Sequence, residues 1–283
     1  MSLLTDLGLG RRTLVMGVLN VTPDSFSDGG SYLQTPSAIA RGMEMVDEGA
    51  DILDIGGEST RPATFHDRSP LSSDEEKHRI LPVIQGILRE RPQAVISVDT
   101  YKADVAEAAL DVGAKIINDI SGLTFGTRMA AIAAASGVPY IMMHILGSPR
   151  DIPANPVYGD VVGDIAAFFE RQIAVAIDRG IEMDNIVLDP GIGFGKTAAH
   201  NFEILRRLSE LKKFGRPLLS GPSRKSFLGK ALGGLPPSER LEGTAAAIAL
   251  SIANGADIVR VHDVLEMVRV VKVSDAVVRG YHD

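Results

Sequence analysis

The chain has 283 residues, 45% of them hydrophobic and 23% charged, with 29 glycines, 15 prolines and no cysteine. That balance describes a globular protein able to bury a large core, and the missing cysteines exclude disulfides, thiolate nucleophiles and thiolate metal sites together. A formal net charge of −7 with no Lys/Arg-rich helix face argues against nucleic acid, and no stretch offers the roughly 20 uninterrupted apolar residues of a membrane span.

The opening residues hold too short an apolar run for a signal peptide, so a cytoplasmic protein is expected. No shift in composition marks a boundary, which predicts a single domain over 1–283, with a short cap over 1–12 and the body over 13–283.

Short apolar runs then alternate with longer amphipathic stretches about eight times. The first strand is expected over 13–19; it ends at Asn20 and enters GVLNVTPDSFSDGG, Gly17 to Gly30, a polar loop closed by glycines and carrying Asp24 and Asp28. A helix over 37–48 leads to a strand over 51–55 and to Gly56-Gly57-Glu58-Ser59-Thr60-Arg61-Pro62. A helix over 73–91 precedes a strand over 94–98 that stops at Asp99-Thr100, and a helix over 102–112 precedes a strand over 115–118 that stops at Asn118-Asp119. Next come a helix over 127–135, a strand over 139–143 followed by His144, and a helix over 159–179. The strand over 185–188 opens into DPGIGFGK, Asp189 to Lys196. A helix over 199–213, a strand over 217–219 and SGPSRKS, Ser220 to Ser226, follow. The chain finishes with a helix over 238–254, a strand over 257–261 leading to His262, and a helix over 264–278.

Every strand is nearly continuous in Val, Ile, Leu or Met, as parallel strands buried on both faces are. Glycines at 49, 113, 137, 180, 215 and 255 stand where left-handed helix ends are wanted. Repeated βα units with short returns fit a closed (β/α)8 TIM barrel, an α/β fold, better than an open sheet.

Such a barrel gathers its site on the loops at the C-terminal ends of its strands. Asp99, Asn118 and Asp189 each read, taken singly, as loop caps too. Buried together at one rim they would be unpaired unless a ligand satisfied them, and a flat heterocycle with several N–H groups would do so. GIGFGKT has the look of a phosphate loop, but that pattern needs glycine where Pro190 stands; its glycines serve either a close approach of backbone and Phe194 to a planar ligand or a tight turn. Lys225 and Ser226 precede a helix in a loop that often binds anions in these barrels. Arg260 and His262 flank Val261, so alternation points both one way and together they could hold a phosphate; a structural, hydrogen-bonded His262 is the alternative. His144 lies at the rim with no evident partner. No cysteine, and no serine with a His-Asp pair, suggests covalent catalysis.

GVLNVTPDSFSDGG, DIGGESTRP, SVDT, INDISG, MMH followed by GSPRDIPANPVYGDVV, LDPGIGFGK, SGPSRKSFLG and ADIVRVHDV, in that order over nearly the whole chain, resemble the dihydropteroate synthase family. The resemblance implies a barrel enzyme of folate biosynthesis that joins p-aminobenzoate to 6-hydroxymethyl-7,8-dihydropterin diphosphate and releases diphosphate with help from Mg2+. Carried over by motif, Asp99, Asn118, Asp189 and Lys225 hold the pterin, with Met143 and Phe194 along its ring. Asn20 contacts Mg2+ and diphosphate, and Thr60, Arg61, Arg260 and His262 complete the diphosphate subsite. Phe26, Pro62, Lys225 and Ser226 surround p-aminobenzoate.

Asn20, Asp28, Lys225, Arg260 and His262 form the expected catalytic set, Asp28 steadying a closed first loop or accepting the amine proton. The substitution is expected to be SN1-like, under loops 22–30 and 58–72 that close over the site. One departure from the family pattern is a longer link over 63–70, which bears on the p-aminobenzoate pocket and on sulfonamide response. A homodimer is implied, with an apolar stretch over 248–271 as its contact or simply as ordinary barrel helix. The rival readings are a methyltetrahydrofolate-dependent methyltransferase-like protein and a non-catalytic pterin-binding barrel.

Overall fold

A computed structural model describes residues 3–22, 31–58, 71–147, 153 and 155–281, with backbone alone at 31–34. Eight parallel strands run β1 (Leu14–Asn20), β2 (Ile52–Gly56), β3 (Ile96–Asp99), β4 (Ile116–Asp119), β5 (Tyr140–Met143), β6 (Ile186–Asp189), β7 (Leu219–Ser220) and β8 (Ile258–Val261), in the spatial order β6-β5-β4-β3-β2-β1-β8-β7. A bridge between Leu188 and Leu218, with the Leu188 N–H donating to the Pro217 carbonyl at 2.9 Å, joins β6 to the β7 side. The expected (β/α)8 barrel is therefore the observed one.

The helices are α1 (Leu3–Asp6), α2 (Ser31–Asp47), α3 (Ser73–Glu90), α4 (Ala103–Asp111), α5 (Arg128–Ser136), α6 (Val161–Asp178), α7 (Ala198–Arg206), α8 (Ser226–Ala231), α9 (Leu241–Ala253) and α10 (Val264–Arg279). The six glycines read as helix ends all take positive φ, and Gly137, at 62°, ends α5 by donating to the Ala133 carbonyl.

Strand alternation divides the apolar residues into two cores. Leu14, Met16, Ile52, Ile116, Ile141, Val187, Leu219 and Ile258 form one cluster inside the barrel, and Leu4 of α1 packs into it. The residues between them, among them Val15, Leu53, Val98, Ile117, Met142, Leu188 and Val259, pack outward against Ile84, Val105, Phe169, Ile204, Ile248 and Met267 of the helices. Each fully buried Leu or Ile stabilises the fold by about 1.5–3 kcal/mol, so the barrel is a rigid base for its rim.

Three boundaries differ from expectation by more than two residues. Instead of running from 37, α2 starts at Ser31 and contains Pro36, a residue that by local rules marks a boundary. The helix expected over 199–213 stops at Arg206 and continues as a 3-10 turn, Leu208–Phe214, which stacks the buried Leu208 and Leu211 on one side at its three-residue period. Before α9 another short 3-10 turn, Pro237–Glu239, begins at a proline, where no N–H is needed.

Candidate active site

The alternation that puts Met16, Ile52 and Ile116 inside the barrel also sends Asp54, Asp99, Asn118, Met143, Asp189, Arg260 and His262 to the inner face, nearer the C-terminal rim. Asp119, one residue beyond Asn118, faces the other way. It accepts from Tyr140 Oη at 2.5 Å and from Ser121 Oγ at 2.8 Å, a structural knot behind the strand.

Arg260 is the centre of the inner group. Its Nε donates to Asp54 Oδ2 at 2.6 Å and its Nη2 to Asp99 Oδ2 at 2.7 Å. Asn118 Nδ2 donates to the same Asp54 oxygen at 3.0 Å, and Asp189 Oδ1 accepts the Gly191 N–H at 2.7 Å. These bonds leave Asp99 Oδ1, Asn118 Oδ1 and Asp189 Oδ2 without a protein donor among the described residues. All three are acceptors, so the floor is complementary to a ligand edge made of N–H donors.

Burial raises the Asp99 carboxyl to about 7, Arg260 offsetting only part of the effect because it is shared with Asp54. Burial also raises Asp189, with Lys225 opposing it. Lys225 is lowered to about 8, mainly by burial, with Asp189 acting against the shift. When ionised, the carboxylates of Asp54, Asp99 and Asp189 are matched by Arg260, Lys225 and Lys196, the last acting on Asp189 as well.

The sixth loop supplies an apolar wall. Lys196 Nζ donates to the carbonyls of Gly191 and Phe194, both at 2.9 Å, and to His144 Nδ1 at 3.0 Å, which gives His144 the partner its sequence position did not suggest. His144 is thereby held neutral, lowered to about 2 by burial and then by Lys196. Gly191, at φ 66°, crosses so close that a Cβ there would lie 1.9 Å from the His144 carbonyl oxygen. Phe194 then packs beside Ile120, Met143 and Ile145, with Lys225 Nζ 4.8 Å from its ring centroid. Lys225 Nζ also donates to the Ile192 carbonyl.

An acceptor floor, an apolar aromatic wall and buried cations suit a flat, N–H-rich heterocycle, and the comparisons agree. Residues 16–262 match the pterin binding enzyme family. A dihydropteroate synthase of Synechocystis sp. is 50% identical over 270 residues, covering 95% of this chain and 92% of that protein. The chain belongs to the pterin-binding family of dihydropteroate synthases. A Clostridium difficile family member, solved in the presence of pteroic acid, superposes with a TM-score of 0.88 at 46% identity over 96% of this chain and 99% of that one. The Yersinia pestis enzyme, solved with a sulfonamide drug complex, gives 0.87 at 41% identity over 95% of each chain.

On the rim where the family's diphosphate subsite is expected, His262 lies against the seventh loop. Its Nδ1 is 3.1 Å from Ser223 Oγ, and its backbone N–H donates to the same hydroxyl at 3.2 Å. The turn is held in a demanding shape: Arg224 has φ 58°, its Nε donates to Asp263 Oδ2 at 2.9 Å, and its N–H donates to Thr244 Oγ1 at 3.1 Å. Asn20 closes β1 opposite Gly56, partly exposed, and Ser226 stands exposed at the start of α8. Glu58, at the root of the second loop, accepts from Lys102 Nζ at 2.6 Å and Tyr101 Oη at 3.1 Å.

The structure thus brings Asp99, Asn118, Asp189, Lys225, Arg260, Met143 and Phe194 around one floor. Phe26, Asp28, Thr60, Arg61 and Pro62 lie outside the described residues. Sequence reasoning missed Asp54 and the inward role of Lys196. The signal for Asp54 was an acid in the middle of ILDIG, an otherwise buried apolar strand.

Proposed function

We propose that this chain is a transferase of folate biosynthesis that joins p-aminobenzoate to 6-hydroxymethyl-7,8-dihydropterin diphosphate, giving 7,8-dihydropteroate and diphosphate. The observation that carries this reading is the convergence of three open acceptors, on Asp99, Asn118 and Asp189, beside Phe194 and Lys225. A 2-amino-4-oxo pterin offers the matching donors, and its ring has a flat face for the wall. The relatives' names support the same reading.

With the pterin so bound, the exocyclic carbon faces Arg260 and the rim that bears Asn20 and His262. The C–O bond to diphosphate breaks first and its electron pair leaves with the diphosphate. The resulting cation is delocalised into the dihydropterin and steadied by the carboxylates of Asp99 and Asp189 beneath it. The arylamine nitrogen then forms the new C–N bond and gives up a proton, with Asp28 as the candidate acceptor. Thr60, Arg61, Arg260 and His262 hold the diphosphate, while Phe26, Pro62, Lys225 and Ser226 receive p-aminobenzoate.

Mg2+ fits this rim. It characteristically takes one or two protein oxygens and completes its shell with phosphate oxygens and water, and Asn20 offers a neutral oxygen, while no trio of carboxylates and imidazoles that could cage the ion occurs among the described residues. When bound, Mg2+ would neutralise charge on the departing diphosphate.

A single domain over 1–283, a cytoplasmic location and a homodimer belong to the same reading. Leu250, Val273 and Val277 are 58%, 66% and 81% exposed on α9 and α10, an apolar face that a second copy would cover. The deciding test is coupled detection of diphosphate with both substrates present, with and without Mg2+. Release that requires all three components is expected, and no release in their presence refutes the activity.

A further inference from the structure

Asp54 is buried in the middle of β2, and the motif correspondence gave it no role. It is 0% exposed and accepts two hydrogen bonds on one oxygen, from Arg260 Nε and from Asn118 Nδ2. Its other oxygen has no hydrogen-bond partner among the described residues, nor has the hydroxyl of Ser97, its register neighbour on β3. An ionised carboxylate in such a place is costly unless its partners need it.

We propose that Asp54 is a positioning residue that decides which end of the Asn118 amide faces the pterin. The inference rests on the function proposed above. A carboxamide has an acceptor end and a donor end of nearly equal shape, so packing alone chooses poorly between them. Asp54 accepts and cannot donate, which ties down the NH2 end and leaves Asn118 Oδ1 toward the ligand. A reversed amide would set a donor against the N–H edge of the heterocycle and leave that donor unpaired. Asp99 and Asp189, once ionised, cannot fail in this way, since both of their oxygens then accept. Asn118 is therefore the member of the floor that needs a fixed orientation, and Asp54 supplies it while also holding Arg260.

The test uses Asp54→Leu, which keeps the branched shape and removes the acceptor, and Asp54→Asn, which keeps an acceptor oxygen in reach of Asn118. Binding of 6-hydroxymethylpterin, which lacks diphosphate, is measured by calorimetry. Asp54→Leu is expected to weaken it by about ten-fold or more, and Asp54→Asn by less than about three-fold. In an Asn118→Ala background the same Asp54→Leu change is expected to have almost no further effect, because it acts through that amide. Equal losses in Leu and Asn variants, or a full additional loss on top of Asn118→Ala, would overturn the proposal. Asp54→Ala replaces the Leu variant if melting curves show that Leu does not fold. A wild type that fails to bind 6-hydroxymethylpterin would refute the function itself, a result distinct from a wild type and an Asp54→Leu variant that bind equally well.

Discussion

Replacing Asp99 by Asn isolates the electrostatic strain that the site carries. The Asp99 carboxylate accepts from Arg260 Nη2 at 2.7 Å, yet burial still lifts it from its ordinary 3.8 to about 7. A raised acid binds its proton more tightly in the folded protein than in the unfolded chain. Its contribution to stability is complete below about pH 4 and is lost as pH rises to about 7. At 1.36 kcal/mol for each pH unit between those two values, the loss has a ceiling of about 4 kcal/mol. The amide introduced by Asp99→Asn would keep an oxygen for Arg260 but carries no charge, so this loss disappears.

Wild type and Asp99→Asn should melt at similar temperatures near pH 4 and separate as pH rises, the variant becoming the more stable. At about 2–4 °C per kcal/mol for a protein of this size class, the gap at pH 8 approaches roughly 10 °C. Dye-monitored melting in buffers of constant ionic strength measures it. Burial also raises Glu76, Asp119 and Asp189, but those groups are present in both proteins and leave the difference to Asp99. A gap that stays constant from pH 4 to 8 would refute the reasoning. Turnover should fall in the variant while stability rises, the exchange expected where binding is built on a buried charge.

Gly191→Ala puts a Cβ 1.9 Å from a backbone oxygen at a residue with φ 66°, so a loss of at least about 3 kcal/mol is expected, seen as a melting temperature lower by roughly 6 °C or more together with weaker pterin binding by calorimetry. Lys225, lowered to about 8, is charged below that pH and neutral above it; KM for p-aminobenzoate should climb through pH 8–9, and Lys225→Arg should move that limb beyond pH 10 in the diphosphate-release assay. Paired Val273→Glu and Val277→Glu changes, at positions 66% and 81% exposed, should turn a dimer into a monomer by light scattering without changing circular dichroism; a wild type that is already monomeric would contradict the proposed homodimer.

Much of the fold was legible because the barrel repeats one local pattern. Each apolar run is short, each return carries its glycine, and alternation then assigns inner and outer faces without further information. Boundaries were less legible where a local rule met tertiary packing. Pro36 lies inside α2, and the packing of Leu208 and Leu211 favours a three-residue period over the helical one. The floor residues could be named from their places at strand ends, whereas their hydrogen-bond roles could not. That Asn118 presents its oxygen follows from Asp54, which lies 64 positions earlier in the chain. Arg260 reads in sequence as an anion ligand beside His262, yet two of its donors are engaged by Asp54 and Asp99, a pairing across the barrel that no local pattern encodes.

The glycine-rich sixth loop shows how a motif and its chemistry come apart. Pro190 alone argued against a phosphate loop, but the structure gives a stronger reason in Lys196. An ammonium has three N–H groups, and those of Lys196 meet the carbonyls of Gly191 and Phe194 and the ring nitrogen of His144. None remains to meet a phosphate. Burial lowers this lysine to about 7, which further reduces its value as an anion ligand. What the loop can do instead follows from the same bonds: they fold its backbone around the ammonium and aim Phe194 toward Met143 and Lys225. The charge that a phosphate loop would direct at its ligand is here turned inward to shape an aromatic wall, and the proposed function leaves anion binding to Arg260 and the seventh and eighth loops.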